Sequence, residues 1–408
     1  MKIHNVQDDI YRLSVNIEDK DYLFEGIWPI PEGISINGYL IKSDKNVLID
    51  LTQDTIDFPQ QFNSQIEDAA LTIEDIDILV VNHMEPDHSG WLREFCAKNT
   101  KAVIYCTKKA IPLLKAFADV DEERAVAITD GMVLEVGDYE LQFFDTPNIH
   151  WPETMMTYER RRKILFACDA FGSYGKVDED AIFDDQISEE KHQFYETEAL
   201  RYYANIVATF TPFVVKGLEK LKDLPVEMIC PSHGIIWREN PATIIDMYKR
   251  YASYAKGPAE KEVTLIWGSM YGNTKKVVTT VIETLRKRNI TVHVHRVPED
   301  DMGYILADAW RSTGLIFGMP TYEYKMFPPV AHAISELQTK RVIKKQVFRF
   351  GSYGWSGGAQ KDFMTKTEKA NWDIVGHYEW QGAATAADHE AIAEAIEAYC
   401  DEVEKAAL

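Results

Sequence analysis

The chain has 408 residues, 46% hydrophobic and 27% charged, with 44 basic and 65 acidic residues and a formal charge of −21. That length accommodates two domains of ordinary size, and the acidic balance weighs against non-specific binding to nucleic acid or anionic membrane. No apolar run approaches the roughly 18 residues that span a bilayer.

The start, Met1-Lys2-Ile3-His4-Asn5, passes straight into strand-like sequence without the apolar core of a signal peptide. The five cysteines, at 96, 106, 168, 230 and 400, form no close pair, as expected in a reducing compartment. A cytoplasmic location is expected. Residues 6–51 alternate apolar and polar positions between turn signals and read as β-strands, among them 34–41 and 45–50. An amphipathic helix is expected over 54–68. The run 76–81 is short and rich in β-branched residues, which marks a buried strand.

That strand leads into Asn82-His83-Met84-Glu85-Pro86-Asp87-His88-Ser89-Gly90, where two His and two carboxylates fall within six residues. On an extended backbone His83 and Glu85 point the same way. Pro86 then bends the chain and turns Asp87 and His88 toward a second point. An ordinary solvated loop rarely gathers such a set, and a metal site is expected. Further on, a strand over 101–107, a helix over 108–117 and strands over 125–145 lead to His150-Trp151. A strand over 164–167 ends at Cys168-Asp169, a helical stretch covers 189–221 with Pro212 opening a new segment, and a strand over 226–230 ends at Ser232-His233-Gly234. His83, His150, Asp169 and His233 therefore all follow strands, where one cleft can collect them.

Four imidazoles and three carboxylates are too many for one tetrahedral ion but suit two ions. We assign His83, Glu85 and His150 to one metal and Asp87, His88 and His233 to the other, with Asp169 between them. A dizinc hydrolase of this spacing would have His at position 85. The carboxylate there, among imidazoles and without thiolate, suits iron better than zinc. Cys168 and Cys230 read as core thiols, and His4 and His192 as surface or capping residues.

Near residues 254–261 the composition turns small and charged, which divides the chain into domains 1–256 and 257–408. Beyond it strands over 262–267, 291–296, 314–318, 346–351 and 373–380 alternate with helices over 274–288, 302–311, 330–340, 358–370 and 386–406. Strict alternation indicates a doubly wound parallel sheet. Ser269-Met270-Tyr271-Gly272-Asn273-Thr274 joins a strand to a helix N-terminus, where unpaired backbone N–H groups receive a phosphate. GxGxxG is absent, so a mononucleotide is expected. Pro320-Thr321-Tyr322-Glu323-Tyr324 and Ser352-Tyr353-Gly354-Trp355-Ser356-Gly357 follow the next strands and offer aromatic rings and amides to an isoalloxazine.

Together His83-x-Glu85-x-Asp87-His88-x-Gly90, His150-Trp151-Pro152, Asp169-Ala170-Phe171-Gly172, Tyr202-Tyr203-Ala204-Asn205, Ser232-His233-Gly234 and the second domain resemble the flavodiiron proteins over essentially the whole chain. The resemblance implies a metallo-β-lactamase-like αββα sandwich followed by a flavodoxin-like domain, with FMN and two iron ions per subunit. It implies reduction of dioxygen to water, of nitric oxide to nitrous oxide, or both, in a head-to-tail homodimer. Glu85 and Asp169 would serve the chemistry, and Tyr202 and Tyr203 could supply a proton. Many relatives have His between Phe and Gly where this chain has Phe24-Glu25-Gly26. The run 23–31 is most similar to methanogen members that oxidise the reduced deazaflavin coenzyme F420, the expected donor. A dizinc hydrolase fused to a flavodoxin is the alternative. A redox relay with an inert first domain is a third possibility.

Overall fold

The computed structural model describes residues 2–55 and 57–408; Met1 and Ile56, and what was expected at those two positions, lie outside it. Contacts divide the chain into two compact units, residues 1–203 with 210–249, and residues 204–209 with 250–408.

In the first unit a seven-stranded sheet packs with a five-stranded one. The larger sheet runs, in spatial order, His4–Gln7, Ile10–Ile17, Ile34–Ile41, Asn46–Ile49, Ile76–Val80, Val103–Thr107 and Ala125–Ile128. The smaller runs Val133–Val136, Tyr139–Asp145, Met155–Glu159, Ile164–Cys168 and Met228–Pro231. Ile34–Ile41 and Ile164–Cys168 are buried along their whole length, as strands covered on both faces must be. The two sheets are stitched by the loop after Met228–Pro231: Asn37 Nδ2 donates to the carbonyls of Pro231 and Gly234 at 3.0 and 3.1 Å, and Tyr39 Oη donates to Pro231 O at 2.7 Å. Buried amides and hydroxyls need such partners, and here they fix the loop that carries His233.

Helices flank the sheets. The one expected over 54–68 is described from Phe58 to Asp68, with Pro59 in its first turn, where a missing N–H costs nothing. The expected stretch 189–221 divides into Glu189–Tyr202, a π-helical turn Tyr203–Val207, a 3₁₀ turn Ala208–Phe210 and Thr211–Leu221. Pro212 stands in the first turn of the last piece, as expected. A helix at Pro241–Ser253 was not foreseen.

The second unit is a five-stranded parallel sheet in the order Thr291–Arg296, Glu260–Trp267, Ser312–Gly318, Gln346–Tyr353, Asp373–Gln381. In chain order that is 2-1-3-4-5, the flavodoxin-like winding, whose ligand crevice lies past the carboxyl ends of the first and third strands. Val263, Leu265, Ile316 and Phe348 from the strands pack with Val281, Leu285, Ile392 and Ile396 from the helices. No helix among the described residues is long and apolar enough to cross a membrane.

Candidate metal centre and flavin cleft

The loop after Ile76–Val80 is shaped before its ligands are counted. Asn82 donates from its backbone N and its Nδ2 to the two carboxylate oxygens of Asp50, at 2.8 and 3.1 Å. Burial pushes Asp50 up to about 6, against the pull of His88 and the Asn82 donors. Pro86 opens the short helix Pro86–Ser89, and Ser89 Oγ donates back to Met84 O at 2.8 Å. Gly90 closes the turn: a Cβ there would lie 2.6 Å from Asp54 N and from Pro86 O. At the opposite side Gly234 has φ +84°, and a Cβ would stand 2.2 Å from Ser173 Oγ.

Seven side chains then converge in two groups. In the first, the ligand atoms of His83, Glu85, His150 and Asp169 lie within 4.8 Å of one another; in the second, so do those of Asp87, His88 and His233. His83 Nε2 is 3.2 Å from Glu85 Oε2 and 3.3 Å from Asp169 Oδ2, while His150 Nε2 is 2.7 and 3.4 Å from the same two atoms. Asp169 turns its other oxygen the other way: Oδ1 is 2.8 Å from His88 Nε2 and 3.4 Å from His233 Nε2. Asp87 Oδ2 is 3.4 Å from both of those imidazoles. One carboxylate therefore spans both groups. Cys168 Sγ also falls within 4.8 Å of ligand atoms of His88 and Asp169. Its thiol is held well up by burial and by the Asp169 charge, and all five cysteines are buried and free.

These donors suit cations. Both oxygens of Asp87 and of Asp169, and Nε2 of His88 and His233, are buried without an aligned hydrogen-bond partner. Leaving so many polar atoms unsatisfied in one pocket is costly unless ions take up the lone pairs. The acid–base balance agrees. Burial works against the charge on Asp169, but His88 and His83 hold it well below the usual carboxylate range. Glu85 behaves alike: burial opposes it, and His150 and His83 bring it down to about 2.

Outside this set the imidazoles have unequal backing. His83 Nδ1 is 2.9 Å from Glu153 Oε1, and His233 Nδ1 is 2.8 Å from the carbonyl of Ser35. Among the described residues His88 Nδ1 has no hydrogen-bond partner. Neither Glu153 nor Ser35 was read from the sequence, since they lie 70 and 198 residues from their imidazoles.

The two tyrosines separate. Tyr202 is buried with its ring 5.6 Å from His233, and burial together with Asp169 keeps its phenol protonated far above neutral pH. Tyr203 shares a 2.9 Å hydrogen bond with Thr211 Oγ1 and packs edge-on against Tyr248. The run 23–31 forms a hairpin, Leu23–Phe24 with Trp28–Pro29. Phe24 sets its edge on His233, and Glu25, at φ +52°, accepts from Trp28 Nε1 at 3.0 Å.

In the second unit a cleft of about 360 Å³ opens past the strand ends, lined by Ser269, Met270, Tyr271, Asn273, Pro320, Thr321, Tyr322, Glu323, Ser352, Tyr353, Gly354, Trp355 and Gly382. Gly382 had not been expected. Gly272, Thr274, Tyr324 and Gly357 support the cleft without lining it. Gly272 caps the helix Asn273–Lys287 at φ +89°, which glycine adopts without strain. Thr274 Oγ1 reaches Ser352 Oγ at 3.4 Å, and Tyr324 Oη receives a 3.3 Å hydrogen bond from Trp355 Nε1. A Cβ on Gly357 would approach Glu379 Oε2 at 3.6 Å. Tyr271 and Trp355 are 93% and 79% exposed, which leaves two large rings at the mouth of the cleft with little protein on them.

Sheet sandwich, paired donor groups and a flavodoxin-type cleft define a metalloflavoprotein. Residues 34–234 match the ODP family beta lactamase, and residues 265–399 match flavodoxin. The chain is 33% identical over 349 residues to the anaerobic nitric oxide reductase flavorubredoxin of Salmonella typhi, covering 84% of this chain and 70% of that one. Among solved structures it is similar to a flavo di-iron protein variant from Thermotoga maritima (30% identity, TM-score 0.88, 98% of each chain). It is also similar to the flavodiiron protein from Giardia intestinalis (26% identity, TM-score 0.89, 99% of this chain and 98% of that one). The chain belongs to the flavodiiron protein family, and FMN and a diiron centre are its cofactors.

Proposed function

We propose that this flavodiiron oxidoreductase reduces dioxygen to water, taking electrons through FMN from reduced coenzyme F420. The observation that carries the metal assignment is the placement of Asp169, one oxygen toward His83 and His150, the other toward His88 and His233. In this reading His83, Glu85 and His150 hold one iron, Asp87, His88 and His233 the other, and Asp169 bridges. Residues 1–256 form the iron-binding domain and residues 257–408 the FMN domain, in a cytoplasmic head-to-tail homodimer.

Bound iron and flavin supply the four electrons that, with four protons, convert one dioxygen into two waters. The chain's own residues do the rest. Glu85, anionic through its His150 and His83 contacts, adds a hard oxygen where a zinc hydrolase of this spacing has an imidazole, which favours iron. Tyr202, kept as the neutral phenol, retains an O–H proton beside His233 that it can donate. Phe24 and Tyr174 shut water from that side, so charge near the ligands is poorly screened. Ser269, Asn273 and the N–H groups at the start of Asn273–Lys287 suit the FMN phosphate, and Tyr322, Tyr353 and Trp355 suit its ring.

Nitric oxide is the second reading, favoured by the 33% identical Salmonella protein, which is named a nitric oxide reductase. Protein reduced without oxygen and then mixed with either gas separates the two. Stoichiometric reoxidation by dioxygen without peroxide supports the first reading; nitrous oxide as the faster product overturns it. Catalytic consumption of reduced F420 under dioxygen tests the donor, and no consumption removes it. Zinc in place of two irons per chain would point to the hydrolase alternative.

A further inference from the structure

Among the described residues, His83 is the imidazole of the two donor groups whose Nδ1 lies within hydrogen-bond distance of a carboxylate. We propose that Glu153 is a positioning residue that makes the two irons electronically unequal, holding the iron on the His83 side to the lower reduction potential. This rests on the ligand assignment proposed above.

Glu153 is 2% exposed and sits three residues after His150, on the loop that returns toward the cluster. Its Oε1 lies 2.9 Å from His83 Nδ1 and accepts Met84 N–H at 3.1 Å, while Oε2 has no hydrogen-bond partner among the described residues. The Glu153 backbone is anchored separately, Thr107 Oγ1 donating to its carbonyl at 2.9 Å. With Nδ1–H directed at Glu153, an ion bound at Nε2 would find the lone pair of His83 on the side of Glu85 and Asp169. A carboxylate in that position fixes the tautomer and makes the imidazole a stronger donor. In the second group His233 has a neutral carbonyl behind it, and among the described residues His88 Nδ1 has no hydrogen-bond partner. A stronger donor stabilises the ferric state, so an iron held beside His83 would have the lower potential and would be reduced after one held by the second group.

The test is Glu153→Gln, which keeps shape and the hydrogen bond but removes the charge. Wild type and variant are loaded with iron, assayed for metal and reduced stepwise while the mixed-valence electron paramagnetic resonance signal is followed. The expected result is two irons per chain, a second reduction step moved to higher potential, a first step little changed, and a smaller maximum mixed-valence signal. A two-iron variant with both steps and the signal unchanged overturns the proposal. Wild-type protein that takes up no iron pair would instead overturn the ligand assignment. A second measurement avoids redox chemistry. In the zinc-loaded, histidine-labelled chain the His83 Nδ1–H resonance lies far downfield and moves upfield in Glu153→Gln. No such resonance in the wild type overturns the proposal. If Glu153→Gln does not fold, Glu153→Asp withdraws the charge by one methylene and shifts the same step in the same direction by less; no shift in folded, two-iron Glu153→Asp overturns it equally.

Discussion

His150 Nε2 lies 2.7 Å from Glu85 Oε2, the shortest approach between an imidazole and a carboxylate in the first donor group. The two residues come from loops 65 positions apart, and Glu85 carries the only donor of that group supplied by a glutamate. Removing it should therefore damage one ion and spare the other. Glu85→Ala is expected to lower iron from about two to about one per chain, by metal analysis of protein loaded without oxygen. Equal loss of both ions would mean that Glu85 is shared.

Asp169 makes the contrasting prediction, because its two oxygens face different groups. Asp169→Ala should weaken both ions by more than about a hundredfold, since even an indirect partner of a ligand is worth 10- to 100-fold. Turnover should be lost. Chelator titration, reading two release events, checks it: one event left at wild-type affinity would contradict the bridging position.

The flavin cleft allows a clean separation of binding from stability. Tyr271 is almost fully exposed yet lines the cleft. Tyr271→Ala should weaken FMN by up to about tenfold, as one aromatic contact of about 0.5–1.5 kcal/mol implies. The flavin-free protein should keep its unfolding midpoint, because exposed positions usually change stability by less than about 0.5 kcal/mol. Fluorescence titration with FMN and thermal unfolding of the flavin-free chain measure the two quantities.

What could be read from the residues alone follows the range of the interactions. The ligand loop was legible because His83, Glu85, Asp87 and His88 are concentrated on one short segment after an obvious strand. His150, Asp169 and His233 were legible because each follows a run of β-branched or apolar residues. Glu153, Ser35 and Asp50 were not, since each acts on a residue at least 32 positions away through a contact that no local pattern announces. The hairpin Thr321–Tyr322 with Lys325–Met326 escaped for another reason. Its turn residues, Glu323 and Tyr324, have φ +46° and +64°, where glycine or asparagine is the usual signal. Tyr202 and Tyr203 could not be told apart because the π-helical turn that starts at Tyr203 breaks the helical spacing.

A buried lysine predicts how stability depends on pH. Lys345 is 1% exposed, and its amine donates to the carbonyls of Trp310 and Ser312, at 2.8 and 2.6 Å, at the end of the helix Met302–Arg311. Burial pulls this amine down to about 7 from its ordinary 10.5. Between those values the unfolded chain binds a proton that the folded chain does not, so stability rises with pH across that window. Below about pH 7 both states are charged and the full penalty applies. Lys345→Met abolishes this contribution. The stability of wild type minus that of Lys345→Met should therefore increase from pH 7 to pH 10 by up to a few kcal/mol, at about 1.4 kcal/mol for each pH unit crossed. Urea unfolding of both chains at several pH values measures it, and a flat difference would contradict it.

Metal uptake supplies the last prediction. Without ions, burial disfavours charge on His83, yet Asp169, Glu153 and Glu85 raise it well above its ordinary value. His233 is treated the same way: burial opposes, while Asp169 and Asp87 bring it up to about 10. His83 and His233 thus hold protons at pH 7, and an ion can bind there only where those protons leave. Loading iron-free protein with ferrous iron at pH 7 should release protons into a weakly buffered solution containing a pH indicator. The number released should fall as the pH is raised toward 10, where His233 is already losing its proton, and apparent affinity should rise over the same range. Uptake without proton release at pH 7 would mean that the imidazoles are neutral before the metal arrives, and that the carboxylates around them do less than their distances imply.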